Sequence, residues 1–157
     1  MAWLIDTNVF LRTARRNDPD RQVALDAIRA LRAKNEVLCY TTQVLVEFWN
    51  VCTRPAMARG GLGLDQSVTE RKTRLIEKRF HLLTENLATH QEWRRLVSTY
   101  SVQGVQVHDA MLVAVMKVHG VTNLLTFNQD DFKRYSGITA LSPAAVVNAL
   151  PTAQPTN

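Results

Sequence analysis

The chain has 157 residues, a length typical of one domain. Hydrophobic residues make up 46% of it and charged residues 21%, so it can build a core without disulfide bridges. The net charge of +5 suits a polyanion or an acidic protein partner, and composition alone does not choose between them. We expect one domain over residues 1–150 and a flexible tail over 151–157, which is polar and contains proline.

Two further features bear on metal binding and location. Cys39 and Cys52 both have apolar neighbours, which indicates reduced, buried thiols and no zinc site. The first residues lack the charged and apolar regions of a signal peptide, and the apolar run at 110–116 is too short to span a bilayer. We therefore expect a cytoplasmic protein with no membrane association.

The first half of the chain alternates short apolar runs with helical patterns. Pro19 is favoured in the first turn of a helix, Thr41 or Thr42 can cap the next one, and Pro55 ends it. The predicted elements are a strand at AWLI, a short helix after Asp6, a helix from about Pro19, a strand at EVLCY, a helix over TTQVLVEFWNVCTR, a flexible glycine-rich loop at 56–64 and a basic helix at about 65–79.

The second half continues the alternation. The predicted elements are a possible short strand at HLLT, a helix over THQEWRRLVSTYS, a helix over VHDAMLVAVMKVHG ended by Gly120, a strand at TNLLTF, a turn or short helix at NQDDFKRY, a weak strand at ITAL and a final helix from Pro143. Strands that alternate with helices predict an α/β fold, a three-layer α/β/α sandwich with a central parallel sheet. In such sheets function gathers beyond the carboxyl ends of the strands.

Polar side chains follow two of the predicted strands. Asp6 comes directly after the first strand, and Asn128 follows TNLLTF, with Asp130 and Asp131 just beyond. For Asp6, capping of the next helix and a metal-binding role are equally compatible with the sequence. For Asp130 we favour a helix cap or a solvated turn.

Glu47 lies on a helix that is apolar around most of its axis, which predicts burial of the helix. Gln43, Glu47 and Asn50 form one narrow polar stripe at positions i, i+4 and i+7. A glutamate on a buried helix needs a partner because an unpaired buried charge is costly. An arginine would serve, but we favour a metal role.

Asp109 stands at the start of the most apolar helix in the chain, where it also suits the positive end of the helix dipole. Suppose that Asp6, Glu47 and Asp109 converge. Two carboxylates about 4 Å apart repel by about 4 kcal/mol at an effective dielectric near 20, so three need a compensating cation. Oxygen ligands without cysteine suit Mg²⁺, for which Mn²⁺ can substitute, and not zinc.

Four segments in this order, LIDTNVFL, VEFWN, HDAMLVAVMKVHG and LLTFNQDDF, resemble the PIN-domain family and, within it, the VapC-like toxin ribonucleases. The resemblance spans essentially residues 2–150. It implies a PIN-like α/β/α fold and a nuclease site of three or four acidic residues with one or two divalent ions. By motif, the acids are Asp6, Glu47 and Asp109.

The fourth acidic position departs from the family pattern. Where the family commonly has an aspartate two residues after the strand's threonine, this chain has Asn128 after Thr126. Asp131 or Asp130 is the alternative ligand. The resemblance implies hydrolysis of RNA to 5′-phosphate and 3′-hydroxyl ends, with Thr7, Asn8 and Thr126 orienting the ligands or contacting phosphate.

The resemblance also implies an antitoxin partner and a homodimer. For the RNA substrate, Arg12, Arg15 and Arg16 are the candidate contacts because they follow the functional end of the first strand. A non-catalytic RNA- or protein-binding module on the same fold is the main alternative, since Asn128 replaces an acid. A receiver domain or an aspartate-based phosphatase is disfavoured, because the first strand lacks a DxD pair and LLTFN lacks a lysine.

Overall fold

A computed structural model describes residues 1–149 of the chain. Five strands and seven α-helices alternate in these residues, with a short 3-10 helix at Gln129–Phe132. The elements are β1 (Ala2–Ile5), α1 (Thr7–Ala14), α2 (Arg21–Ala33), β2 (Val37–Thr41), α3 (Thr42–Thr53), α4 (Gln66–Arg79), β3 (His81–Leu83), α5 (Leu87–Thr99), α6 (Gln106–Val118), β4 (Asn123–Leu125), β5 (Thr139–Leu141) and α7 (Pro143–Asn148). The expected tail at 151–157 lies outside the described residues.

The five strands form one sheet in the order β3-β2-β1-β4-β5. Every neighbouring pair is parallel: Trp3 pairs with Leu38 on one side and with Asn123 on the other. This sheet, flanked by helices, confirms the predicted α/β fold. The weak strands at HLLT and ITAL both form, and they are the two edge strands.

Local signals in the sequence define several helix ends. The Thr41 hydroxyl accepts a hydrogen bond from the amide of Val44 and caps α3, as predicted. Gly120 adopts φ +66° directly after the C-cap residue of α6, a conformation that a glycine reaches without strain. Helix α2 begins at Arg21, two residues after Pro19, because the preceding residues form a turn.

The core lies on both faces of the central strands. Leu4, Ile5, Leu124 and Leu125 are fully buried, as expected for a parallel sheet covered by helices. Helix α6 buries five consecutive residues, Leu112–Met116, so the most apolar segment of the sequence is a core helix. Among residues 1–149, no helix combines the length and apolarity that crossing a bilayer requires.

Two expectations about the middle of the chain need correction. Helix α3 is not buried all round, because Val46 is 63% exposed and only one face packs into the core. The loop at 56–64, expected to be flexible, is hydrogen-bonded to the end of α3: Leu62 and Leu64 donate their amides to the carbonyls of Val51 and Cys52.

Candidate active site

The candidate site lies where the strand order of the sheet reverses. The chain passes from β1 towards β3 on one side and from β4 to β5 on the other, so a crevice opens at the carboxyl ends of β1 and β4. Asp6 is the first residue after β1, and Thr126 is the first after β4. The amide of Asp6 donates to the carbonyl of Leu125 at 3.0 Å, which ties the two strand ends together.

Asp6 is held by side chains from both strand ends. The hydroxyl of Thr126 donates to Asp6 Oδ2 at 2.6 Å, and Asn8 Nδ2 donates to the same oxygen at 2.7 Å. The side-chain carbonyl of Asn8 accepts from the amide of Phe127 at 3.1 Å. Asp6 occupies the N-cap position of α1, but its side chain makes no capping hydrogen bond. Its carboxylate is therefore oriented by Thr126 and Asn8, both predicted from the sequence as supporting residues.

Glu47 reaches the site from α3 and is held from two sides. The Thr7 hydroxyl donates to Glu47 Oε2 at 2.9 Å, and Gln43 Nε2 donates to Oε1 at 2.7 Å. Gln43 also donates to the carbonyl of His108 at 3.2 Å, so it connects α3 to the first turn of α6. This turn carries Asp109. The arrangement brings the polar stripe of α3 to the acidic end of α6.

The ionisation of Asp6 reflects its burial. Burial raises the pKa of Asp6 from 3.8 to about 6. The hydrogen bond from Thr126 opposes that rise, the negative charge of Glu47 adds to it, and the amides of Thr7 and Asn8 oppose it. The charged form of Asp6 is thus disfavoured in this protein even though hydrogen bonds from three groups favour it.

The pKa of Asp109 is also raised, and the causes of the rise identify the charged groups near it. Its pKa is raised from 3.8 to about 6, chiefly by burial and further by the negative charges of Asp131, Asp6 and Glu47, while His108 opposes the rise. Asp109 therefore lies in the field of three other carboxylates. The three predicted acids Asp6, Glu47 and Asp109 meet in one region, and Asp131 joins them.

Protein cations do not neutralise this group. Among residues 1–149, the ion pairs formed by lysine, arginine or histidine side chains involve other acids, none of them Asp6, Glu47, Asp109 or Asp131. The arginine partner considered for Glu47 is absent from the described part of the chain. Four carboxylates that share a region without a counter-cation favour one that comes from solution.

The residues present fit a hard divalent cation in their chemistry. Carboxylate oxygens, with hydroxyl and amide groups that orient them, are the donor set that Mg²⁺ and Mn²⁺ prefer. In the part of the chain that the structure describes, no three His, Cys, Asp or Glu side chains lie close enough to surround one ion. The fit therefore rests on the nature of the donors and on their unbalanced charge.

Three residues are candidates for the fourth acidic position. Asn128 is exposed, and its amide donates to the Thr126 hydroxyl at 3.0 Å, so its contact with the site is through the backbone. Asp131 is half-buried and raises the pKa of Asp109. Asp130 is exposed and pairs with Lys133 at 2.6 Å, which agrees with a solvated turn. Of the three, Asp131 has the electrostatic contact with the acidic group.

The candidate RNA-binding arginines differ in their surroundings. Arg12 is 3.1 Å from Asp18 and lies over the ring of Phe127, and Arg15 is 4.0 Å from the same carboxylate. Arg16 is exposed and forms no ion pair within residues 1–149. The sequence analysis did not anticipate the pairing with Asp18. The short spacing from Arg12 to Asp18 across a turn was the signal available for it.

An α/β protein with an acidic centre at the switch point of a parallel sheet is the class that fold and site define. The model of the PIN domain matches residues 3–138, so the chain belongs to the PIN domain family. No curated protein matches the chain.

Solved structures show the same fold. The chain is 14% identical to a chain of VapBC2 from Rickettsia felis bound to a promoter DNA fragment, with 90% of this chain and 98% of that chain covered and a TM-score of 0.67. VapBC-1 from nontypeable Haemophilus influenzae gives 16% identity, coverages of 92% and 99%, and a TM-score of 0.64. VapC20 of Mycobacterium tuberculosis, described as a Sarcin-Ricin loop cleaving toxin, gives 20% identity, coverages of 82% and 92%, and a TM-score of 0.59.

The raised pKa of Asp6 predicts an unusual dependence of stability on pH. Because the folded pKa of about 6 exceeds the unfolded value, the native state binds more protons between about pH 4 and 6. Asp6 therefore destabilises the fold above pH 6, and this effect is lost as the pH falls towards 4. Asp6→Asn keeps an acceptor for Thr126 and Asn8 and should stabilise the protein by on the order of 2 kcal/mol at pH 7.5.

Urea unfolding in EDTA at pH 7.5, 6.5, 5.5 and 4.5 measures this difference. The difference in unfolding free energy between Asp6→Asn and the wild type should become steadily smaller towards pH 4.5. The exposed Asp130→Asn is the matched control and should change stability by less than about 0.5 kcal/mol throughout. An Asp6→Asn protein that is less stable than the wild type at pH 7.5 would contradict the claim that the charged Asp6 destabilises the fold.

Proposed function

We propose that this protein is a Mg²⁺-dependent endoribonuclease that hydrolyses RNA phosphodiester bonds, and that it is the toxin of a type II toxin–antitoxin pair. The observation that carries the nuclease proposal is that Asp109 lies in the field of Asp6, Glu47 and Asp131, while within residues 1–149 no lysine, arginine or histidine forms an ion pair with any of the four. Membership of the PIN domain family supports the same proposal, as does the likeness to VapC20, described as a Sarcin-Ricin loop cleaving toxin.

Each acidic residue has a proposed role. Asp6 and Asp109 would be the main ligands of Mg²⁺, for which Mn²⁺ can substitute. Asp131 would be the fourth acidic residue of the site. A divalent ion held by these residues would offset the charge on the phosphate and would make a water molecule nucleophilic near neutral pH. It would also offset the negative charge of the carboxylates, which otherwise repel RNA.

The carboxylate of Glu47 is held by hydrogen bonds on both of its oxygens. Both of its oxygens accept one hydrogen bond from a neutral side chain, Thr7 or Gln43, which fixes the carboxylate without neutralising it. We propose that Glu47 ligates the ion directly or accepts a proton from the attacking water. Thr126 and Asn8 hold Asp6, so they are positioning residues. The products would carry 5′-phosphate and 3′-hydroxyl ends.

The nuclease proposal predicts loss of cleavage when the acidic group is altered. Purified protein with Mg²⁺ or Mn²⁺ should cut single-stranded RNA, and EDTA should stop it. Asp109→Asn should lower the cleavage rate at least about 100-fold, because it removes a charged ligand while keeping the side-chain shape. Asp130→Asn, whose side chain is exposed and paired with Lys133, should cut as fast as the wild type.

The same experiment separates the nuclease from a non-catalytic binding module, which the neutral Asn128 would suit. A binding module would hold RNA without cutting it in either metal. Cleavage by Asp109→Asn at the wild-type rate would refute the nuclease site. A metal-independent rate equal to the rate with Mg²⁺ would do the same.

A partner surface supports the antitoxin part of the proposal. A cavity of about 250 Å³ lies between α1, α2 and α4, and its floor is apolar, with Phe10, Phe48 and Phe80 among its lining residues. Its basic lining residues are Arg21, Arg32, Lys72 and Arg79, and no acidic side chain lines it. Burial and the charge of Arg79 both lower the pKa of Arg32. An acidic, amphipathic helix is the partner chemistry that this groove fits.

Co-expression with the product of the neighbouring upstream reading frame tests the partner. That protein should copurify with this one and relieve its growth inhibition. The double change Lys72→Glu and Arg79→Glu should weaken the complex at least 10-fold, whereas the exposed Arg94→Glu on α5 should leave it intact. Equal effects of the two variants would reject the groove. Size-exclusion chromatography with light scattering should give twice 17.7 kDa for the isolated protein, as a homodimer requires.

A further inference from the structure

A second cleft adjoins the acidic group. It has a volume of about 220 Å³ and lies between the end of α1 and the glycine-rich loop. One wall carries Asn8, Leu11, Arg12, Arg15 and Asp18, and the other carries Val51, Gly60 and Leu62. Asn8 belongs to both places, because it lines the cleft and donates to Asp6 Oδ2 at 2.7 Å. The cleft therefore begins where the acidic group ends.

Asp18 is a buried carboxylate with a specific set of partners. Only 2% of its side chain is exposed. It accepts from Arg12 Nη1 at 3.1 Å and from the amide of Asp20 at 3.0 Å, and Arg15 Nη1 lies 4.0 Å away. Burial of a carboxylate is costly, and these contacts compensate for it. Their structural consequence is that Arg12 has one preferred position.

Arg12 is also held from the other side of the crevice. Its guanidinium lies 5.6 Å from the centre of the Phe127 ring, a cation–π distance, and its Nε lies 3.8 Å from Asp20. Phe127 follows Thr126, and its amide donates to Asn8. The guanidinium is therefore fixed beside both strand ends that carry the acidic group.

The two arginines of the cleft keep donors that an anion could use. Arg12 and Arg15 face the buried Asp18, and Arg12 also lies near Asp20, yet 38% of the Arg12 side chain and 47% of the Arg15 side chain remain exposed. Guanidinium groups offer several donors in a fixed plane, so the contact with Asp18 leaves others for a phosphate. The residues named on the opposite wall, Val51, Gly60 and Leu62, are uncharged.

We propose that this cleft binds a phosphate of the RNA strand next to the phosphate that is cleaved, and that Asp18 is a positioning residue that holds Arg12 for this contact. The proposal rests on the proposed nuclease function, because it assigns the neighbouring part of the same substrate. A purely structural role for Asp18, joining α1 to the start of α2, makes a different prediction for RNA binding.

The test measures RNA binding without cleavage. Fluorescence anisotropy with a labelled single-stranded RNA, at several salt concentrations in EDTA, is applied to the Asp109→Asn protein and to variants made in it. Arg12→Ala should weaken binding about 5- to 20-fold and reduce the salt slope by about one. Arg94→Ala is the matched control, since this exposed arginine on α5 lies outside the cleft, and it should change binding less than 2-fold.

Asp18→Asn gives the sharpest result. Simple charge counting predicts tighter RNA binding, because the change removes a negative charge from the cleft. The positioning role predicts weaker binding, at least about 3-fold, because Arg12 loses its strongest contact. Tighter or unchanged binding by Asp18→Asn, with a normal melting temperature, would overturn the proposal.

Two further arms keep the outcome clear. If Asp18→Asn does not fold, the comparison of Arg12→Lys with Arg12→Gln decides, since only the lysine keeps the charge and should restore part of the affinity. An equal loss of affinity for Arg12→Lys and Arg12→Gln would contradict the subsite. Inorganic phosphate at about 10 to 50 mM, a concentration similar to that of the added salt, should compete with RNA for the protein that keeps Arg12. It should not compete with RNA for the Arg12→Ala variant.

The result is separable from the nuclease proposal. If no RNA is cleaved yet Arg12 and Asp18 affect binding as described, the subsite stands and the catalytic proposal fails. If cleavage is confirmed while Arg12→Ala and Arg94→Ala bind RNA equally well, the subsite alone is rejected.

Discussion

The structure depends on one electrostatic constraint: carboxylates are brought together and partly buried, and no ion pair within residues 1–149 balances them. Burial is the largest cause that raises the pKa of Asp6 and of Asp109 to about 6, and the charge of Glu47 contributes to both. Hydrogen bonds from Thr126 and Asn8 orient Asp6 but carry no net charge. The protein thus maintains an unfavourable charge density by means of a rigid hydrogen-bonded frame, which is the arrangement expected where an external cation completes a site.

The fold explains how distant residues come together. Parallel strands point the same way, and the order β3-β2-β1-β4-β5 places the ends of β1 and β4 side by side where the direction of winding reverses. Asp6 and Thr126 meet there although 120 residues separate them. Helix α3 then presents Glu47 from its second turn, and helix α6 presents Asp109 from its first turn. Gln43 on α3 donates both to Glu47 on the same helix and to the carbonyl of His108 on α6, and the second hydrogen bond joins the two helices.

Sequence patterns predicted much of this architecture. The parallel sheet, the acid after β1 and the polar stripe of α3 follow from local hydrophobic periodicity, which depends on neighbours in the chain. The exposure of Val46 and the hydrogen-bonded loop at 56–64 were missed, because they depend on which elements pack against α3. The contact between Arg12 and Asp18 was missed for a related reason: side-chain pairing across a turn is set by rotamers and by burial, which a pattern of residue types does not encode.

Isothermal titration calorimetry with Mn²⁺ tests the central claim most directly, because it measures the cation and the protons together. The carboxylates hold protons near pH 6 and few near pH 8, so titrations in buffers of different ionisation enthalpy should show proton release on Mn²⁺ binding at pH 6 and almost none at pH 8. Binding should disappear when Asp6 and Asp109 are both changed to asparagine. No Mn²⁺ binding by the wild-type protein, or undiminished binding by the double variant, would contradict the account.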